Sequence, residues 1–142
     1  MDEPLSVTVD LQGEKVRFSG STRELPAVCA DYFPPLGDGE GYTGLELLLL
    51  SLAVCSATSV VALLRRMKKT VAAFRVNAAG TRRSQHPTSF ERIRLEFVLT
   101  SPDAAAADLG KAVQMSEASL CPVWAMLKGN VEIATELKLE AG

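Results

Sequence analysis

Apolar and polar positions alternate at Val7, Val9 and Leu11, and after Gln12-Gly13-Glu14 the chain resumes as Val16-Arg17-Phe18. A period of two on either side of a glycine turn predicts a β-hairpin. Leu25 to Ala30 reads as a third strand. From Asp31 to Gly44 the pattern dissolves into a loop marked by Pro34-Pro35, Gly37, Gly39, Gly41 and Gly44. Thr43 followed three residues later by Glu46 then forms a capping box, which opens a long apolar helix from Leu45 to about Met67. Arg65-Arg66 and Lys68-Lys69 at its far end complement the helix dipole.

Alternation returns at Phe74, Val76 and Ala78, followed by a polar loop from Gly80 to Ser89. In the next strand Ile93, Leu95, Phe97 and Leu99 face one way, while Arg92, Arg94 and Glu96 face the other. Ser101-Pro102-Asp103 opens a second helix through Ala104 to about Ala118. Pro122 cannot continue that helix, since it has no amide to donate and crowds the preceding turn. The pattern predicts a break, with Ser119 capping a short new helix, Pro122 in its first turn and Gly129-Asn130 at its end. Val131, Ile133, Thr135, Leu137 and Leu139 form a closing strand. The order of elements makes this an α+β protein, and residues 1–142 read as a single domain.

Composition narrows the function classes. The chain is 47% hydrophobic and 23% charged with a net charge of −2, which argues against a nucleic-acid partner. Its basic clusters also lack the interleaved aromatics that stack on bases. Leu45 to Leu64 has the ~20 residues that cross a bilayer, but it contains Glu46, Ser51, Ser56, Thr58 and Ser59 and is flanked by amphipathic strands. The expectation is a fully buried helix at the centre of a soluble fold, with no membrane partner. The acidic, polar start Met1-Asp2-Glu3-Pro4 is unlike a secretory signal, so three cysteines point to reduced thiols and a cytoplasmic setting. There is no CxxC, and the single histidine, His86, precedes Pro87 in a polar turn, so neither a metal nor a cofactor is expected.

The remaining chemistry lies in two cysteines. Cys55 sits mid-helix among Ala53, Ser56 and Ala57, and Cys121 lies beside the predicted helix break in Leu120-Cys121-Pro122-Val123-Trp124. Unpaired amides in a first helical turn favour a thiolate there. Lone cysteines on apolar helices are commonly inert filler, and that reading holds for Cys29. A thiolate alone would also make a weak catalyst. Lowering a thiol pKa from ~8.5 to ~6.5 raises the thiolate fraction about 25-fold at neutral pH, of which falling nucleophilicity removes roughly 8-fold. A peroxide-reducing site would therefore need a nearby cation to orient the substrate and stabilise the departing oxyanion.

Gly44-Leu45-Glu46-Leu47-Leu48-Leu49-Leu50-Ser51-Leu52-Ala53-Val54-Cys55-Ser56 resembles the first-cysteine segment of the OsmC/Ohr family. Ser116 to Leu127, with Cys121-Pro122-Val123, resembles that family's second-cysteine motif, and Phe74-Arg75-Val76 and Phe90-Glu91-Arg92-Ile93 fit its strand pair. The resemblance implies antiparallel sheets wrapped around two central helices in an intertwined homodimer. It implies a thiol-dependent peroxidase that reduces organic hydroperoxides in oxidative stress defence. Cys55 would be the peroxidatic thiolate, Cys121 the resolving thiol, and a dithiol such as a dihydrolipoyl group the reductant. Arg17 occupies the place of the family's activating arginine, with Arg23 as the reserve and an outward-facing strand arginine as the competing reading of Arg17.

The chain departs from the peroxidase pattern at Gly44, where the motif has proline, and at Leu45, where it has glutamate. Glu46 comes one position later, as in the less characterised branch that includes YhfA-like proteins. One position is ~100° of helix rotation, and nine positions are a rise of ~13.5 Å, so Glu46 cannot touch Cys55 on its own helix. Its expected role is completing the Thr43 cap. The alternative function is a small-ligand-binding or redox-sensing protein of this fold with little peroxidase turnover.

Overall fold

The computed structural model describes residues 3–142, which group into two compact units, one up to Leu48 and one from Leu49 to Gly142. The first unit holds β1 (Thr8–Gln12), β2 (Arg17–Ser21) and β3 (Val28–Ala30), an antiparallel meander. Leu11 pairs with Phe18 and Gln12 with Arg17, so the predicted hairpin forms. Gly13 takes a positive φ of 77° in its turn, where a side chain would be strained. Val7, Val9, Leu11, Leu25 and Val28 remain exposed, and all but Leu11 line, with Pro26 and Leu47, an apolar groove of about 330 Å³.

The Pro/Gly-rich loop is ordered by one buried carboxylate. Asp31 accepts the amides of Tyr32 at 2.7 Å, Glu40 at 3.1 Å and Asp38 at 3.2 Å. Burial works against its ionisation, but these amides and the positive charge of Arg17 hold the carboxyl below its ordinary value. Gly41 lies against the backbone of Cys29, where a Cβ would come within 2.4 Å of the carbonyl oxygen.

Helix α1 (Gly44–Arg66) begins in the first unit and continues into the second. Its start is the expected capping box: Glu46 N–H donates to Thr43 Oγ1 at 3.2 Å, and Thr43 N–H donates to Glu46 Oε1 at 2.9 Å. Leu52, Ala53, Ser56, Val60, Leu63 and Leu64 form its buried stripe at helical spacing. The expectation of full burial is corrected here. Leu50 and Val54 are 47% and 57% exposed, because within one chain only one side of α1 is covered. By length and composition α1 is the one helix among the described residues that meets the requirements for crossing a membrane.

In the second unit β4 (Ala73–Arg82) and β5 (Phe90–Thr100) form an antiparallel pair, and β6 (Glu132–Glu140) joins β5 in parallel. One of the sheets is therefore mixed rather than antiparallel throughout. Ile93, Leu95, Phe97 and Leu99 are fully buried along one face of β5, each such side chain stabilising the fold by roughly 1.5–3 kcal/mol. Arg92, Arg94 and Glu96 pair across the other face with Glu132, Glu136 and Lys138. The predicted loop begins later than Gly80. That glycine stays in the strand because the Phe90 ring occupies the space of a side chain, 2.4 Å from where its Cβ would be.

Helix α2 (Ala106–Met115) starts later than the pattern suggests. Ser101-Pro102-Asp103 instead forms a turn in which Asp103 accepts the amide and hydroxyl of Thr70, each at 2.8 Å. Asp108 provides the helix start by accepting the Ala105 amide at 2.8 Å. After Met115 the chain widens into a π-helical turn, Ser116–Leu120, before α3 (Pro122–Leu127). Ser119 lies inside the π turn and does not cap α3; Cys121 does.

Candidate active site

Cys55 and Cys121 meet in the second unit. Pro122 breaks the helix as expected, and this makes Cys121 the N-cap of α3, its Sγ accepting the Trp124 amide at 3.5 Å. The Cys121 amide donates to the Ser116 carbonyl at 2.9 Å, closing the wide turn over Ser116–Leu120. Cys121 is 2% exposed, whereas Cys55 is half-buried. Both are free thiols, and their sulfurs are close enough to influence each other's charge. Burial pushes the Cys55 thiol up from its ordinary value; the Val123 amide opposes this, and the neighbouring Cys121 sulfur adds to it. Two free thiols this close can undergo dithiol–disulfide chemistry, and burial opposes ionisation of the Cys55 thiol.

Three serines fasten the two segments together, and sequence reasoning assigned them no role at the site. Ser56 is fully buried, and its Oγ lies 3.6 Å from Cys121 Sγ, with either able to donate. Ser59 Oγ lies 2.5 Å from Ser116 Oγ and also donates back along its helix, to the Ser56 carbonyl at 3.1 Å. The available signal was the presence of hydroxyls at helical spacing inside the apolar run, which the sequence reading used against a membrane span and, for Ser56, as one of the small residues around Cys55.

The other candidates lie in the first unit. Arg17 is half-buried on β2, and its charge acts on Asp31. Arg23 occupies an exposed left-handed turn with φ of 52°. Glu46 is engaged in its cap. Cys29 departs from the expectation of buried filler: it is exposed on β3, with Sγ 3.6 Å from the Glu40 carbonyl. Its strand is at the edge of a three-stranded sheet, where the Tyr42 amide donates to the Cys29 carbonyl at 3.0 Å while the side chain stays exposed. Among the described residues no three His, Cys, Asp or Glu side chains gather where a metal could be held.

Residues 37–136 match the OsmC-like protein family. Protein YhfA of Escherichia coli (strain K12) is 31% identical over 97 residues, covering 68% of this chain and 72% of YhfA. A hypothetical protein from Aquifex aeolicus VF5 superposes with a TM-score of 0.86 at 26% identity, covering 99% of this chain and 98% of its own. An organic hydroperoxide resistance protein OsmC from Legionella pneumophila superposes with a TM-score of 0.74 at 13% identity, covering 97% and 98%. Two small sheets with helices, the paired cysteine segments and these likenesses lead to one assignment: the chain belongs to the OsmC-like family.

Proposed function

We propose that this protein is a thiol peroxidase acting on organic hydroperoxides. The observation that carries the reading is the meeting of half-buried Cys55 with buried Cys121, in a family whose structural relatives include an organic hydroperoxide resistance protein. The Cys55 thiolate attacks the terminal oxygen of ROOH, the O–O bond breaks, and ROH leaves with a proton. Cys55 becomes a sulfenic acid. The Cys121 sulfur then attacks the Cys55 sulfur, water departs, and a disulfide forms; a dithiol such as a dihydrolipoyl group supplies the two electrons and two protons that reopen it.

Because its surroundings raise the Cys55 thiol, the reaction needs a cation to favour the thiolate. By family likeness that cation is Arg17. The exposed apolar residues of β1 and β3, with Leu50 and Val54 on α1, support a second copy of the chain as partner. Reduced thiols of this kind suit the cytoplasm.

One equivalent of cumene hydroperoxide, followed by thiol counting and disulfide mapping, tests the reading. Loss of two thiols to a Cys55–Cys121 bridge, absent in Cys55→Ser, is expected. Survival of both thiols in the unmutated protein would end the peroxidase reading. The raised Cys55 thiol favours a second reading, a slow redox sensor, which predicts the same bridge at a rate too low for turnover.

A further inference from the structure

Ser56 interrupts the otherwise apolar buried stripe of α1, where an alanine or valine would pack without any polar group to satisfy. Its hydroxyl is wholly buried, and its hydrogen bond is to Cys121 Sγ, a sulfur that also receives the Trp124 amide. A hydroxyl rotates freely between accepting from a thiol and donating to a thiolate, so it suits a sulfur whose charge changes during a reaction. An amide can only donate.

We propose that Ser56 is a positioning residue for Cys121, holding its sulfur as the thiolate that departs when a reductant opens a Cys55–Cys121 disulfide. This rests on the dithiol–disulfide chemistry of the peroxidase reading. Cys121 is nearly sealed from solvent and Cys55 is not, so an incoming thiolate attacks Cys55. A bond forms between the reductant sulfur and Cys55 Sγ, the S–S bond breaks, and its electron pair goes to Cys121 Sγ. There the Ser56 O–H and the Trp124 N–H receive the new charge. The reductant's second thiolate then attacks its own mixed-disulfide sulfur and releases Cys55. The dithiol ends as a disulfide, and its two protons end on the two cysteines.

The test forms the bridge with diamide, so that it does not depend on peroxide, and follows its opening by dithiothreitol from the recovery of free thiols. Hydrogen bonds to charged groups are strong enough that Ser56→Ala is expected to open about tenfold more slowly. Ser56→Thr keeps the hydroxyl and is expected to restore most of the rate, which a role in packing alone would not explain. Near-ultraviolet circular dichroism of the buried Trp124 checks that each variant is folded. Equal opening rates for Ser56→Ala and the unmutated protein would overturn the proposal, as would a failure of diamide to bridge the pair. A bridge formed by diamide but not by cumene hydroperoxide would remove the peroxidase reading and leave the Ser56 comparison decisive.

Discussion

Replacing Glu46 by alanine removes half of the reciprocal cap on α1 and separates a structural role from a catalytic one. The carboxylate accepts the Thr43 amide at 2.9 Å, and Thr43 is only 6% exposed, so water has little access to that amide once the carboxylate is gone. A cap bond is typically worth about 1 kcal/mol, and a negative charge in the first turn adds a few tenths through the helix dipole. Glu46→Ala is therefore expected to cost about 1 kcal/mol. Thr43→Ala removes a different bond, from the Glu46 amide at 3.2 Å, and costs a similar amount. Since the two substitutions remove separate bonds, the double variant should lose about 2 kcal/mol, with any excess or shortfall measuring cooperation within the box. Glu46→Gln keeps an acceptor and should recover most of the loss. Urea unfolding at one fixed protein concentration reads these values, with Cys55 oxidation by cumene hydroperoxide measured on the same samples. An unchanged unfolding midpoint for Glu46→Ala would refute the cap. A fall of more than about tenfold in Cys55 oxidation at near-normal stability would show that Glu46 acts in the chemistry.

Gly41→Ala places a Cβ 2.4 Å from the Cys29 carbonyl oxygen, a backbone atom that cannot swing aside, so it should cost about 1–3 kcal/mol; a wild-type thermal midpoint would contradict that packing. Stability should also depend on pH through Cys55, whose thiol is pushed above its ordinary value of 9.0 by burial. A proton held more tightly in the folded chain contributes stability that is full below the unfolded value and fades as pH rises through the folded one. Unfolding free energy is thus expected to fall above about pH 9.0, and to fall less in Cys55→Ser; identical slopes for the two proteins would show the reasoning wrong.

Most strands were legible because each has an alternating face, and α1 because Thr43 and Glu46 mark its start from purely local chemistry. Boundaries were lost where a distant residue decides them. Gly80 reads as loop until Phe90 is seen above it, and Ser101-Pro102-Asp103 reads as a helix start until Thr70 captures Asp103. The break at Pro122 followed from covalent structure, but the choice of Cys121 over Ser119 as cap depends on the π turn, which no local propensity announces. Pairing of the two thiols came from resemblance rather than periodicity. The serines between them were missed because a buried hydroxyl and a solvated one look alike in sequence.

The parallel pairing of β5 with β6 makes this site depend on contacts between distant parts of the chain. Parallel neighbours cannot be joined by a tight turn, so the segment bearing Ser116, Cys121 and Trp124 is the crossover between them. Partners such as Arg92 and Glu132 are 40 positions apart, and closing so long a loop costs entropy before any contact repays it. Cys55 belongs to a helix that can nucleate from its own residues, whereas Cys121 acquires its seat only when Ser56, 65 positions away in sequence, has docked against it. Until then its sulfur is open to alkylation or to mispairing with exposed Cys29; afterwards it is sealed. Resistance of Cys121 to a thiol reagent therefore marks chains that have finished folding, and its slow labelling in the native protein counts the openings of the crossover.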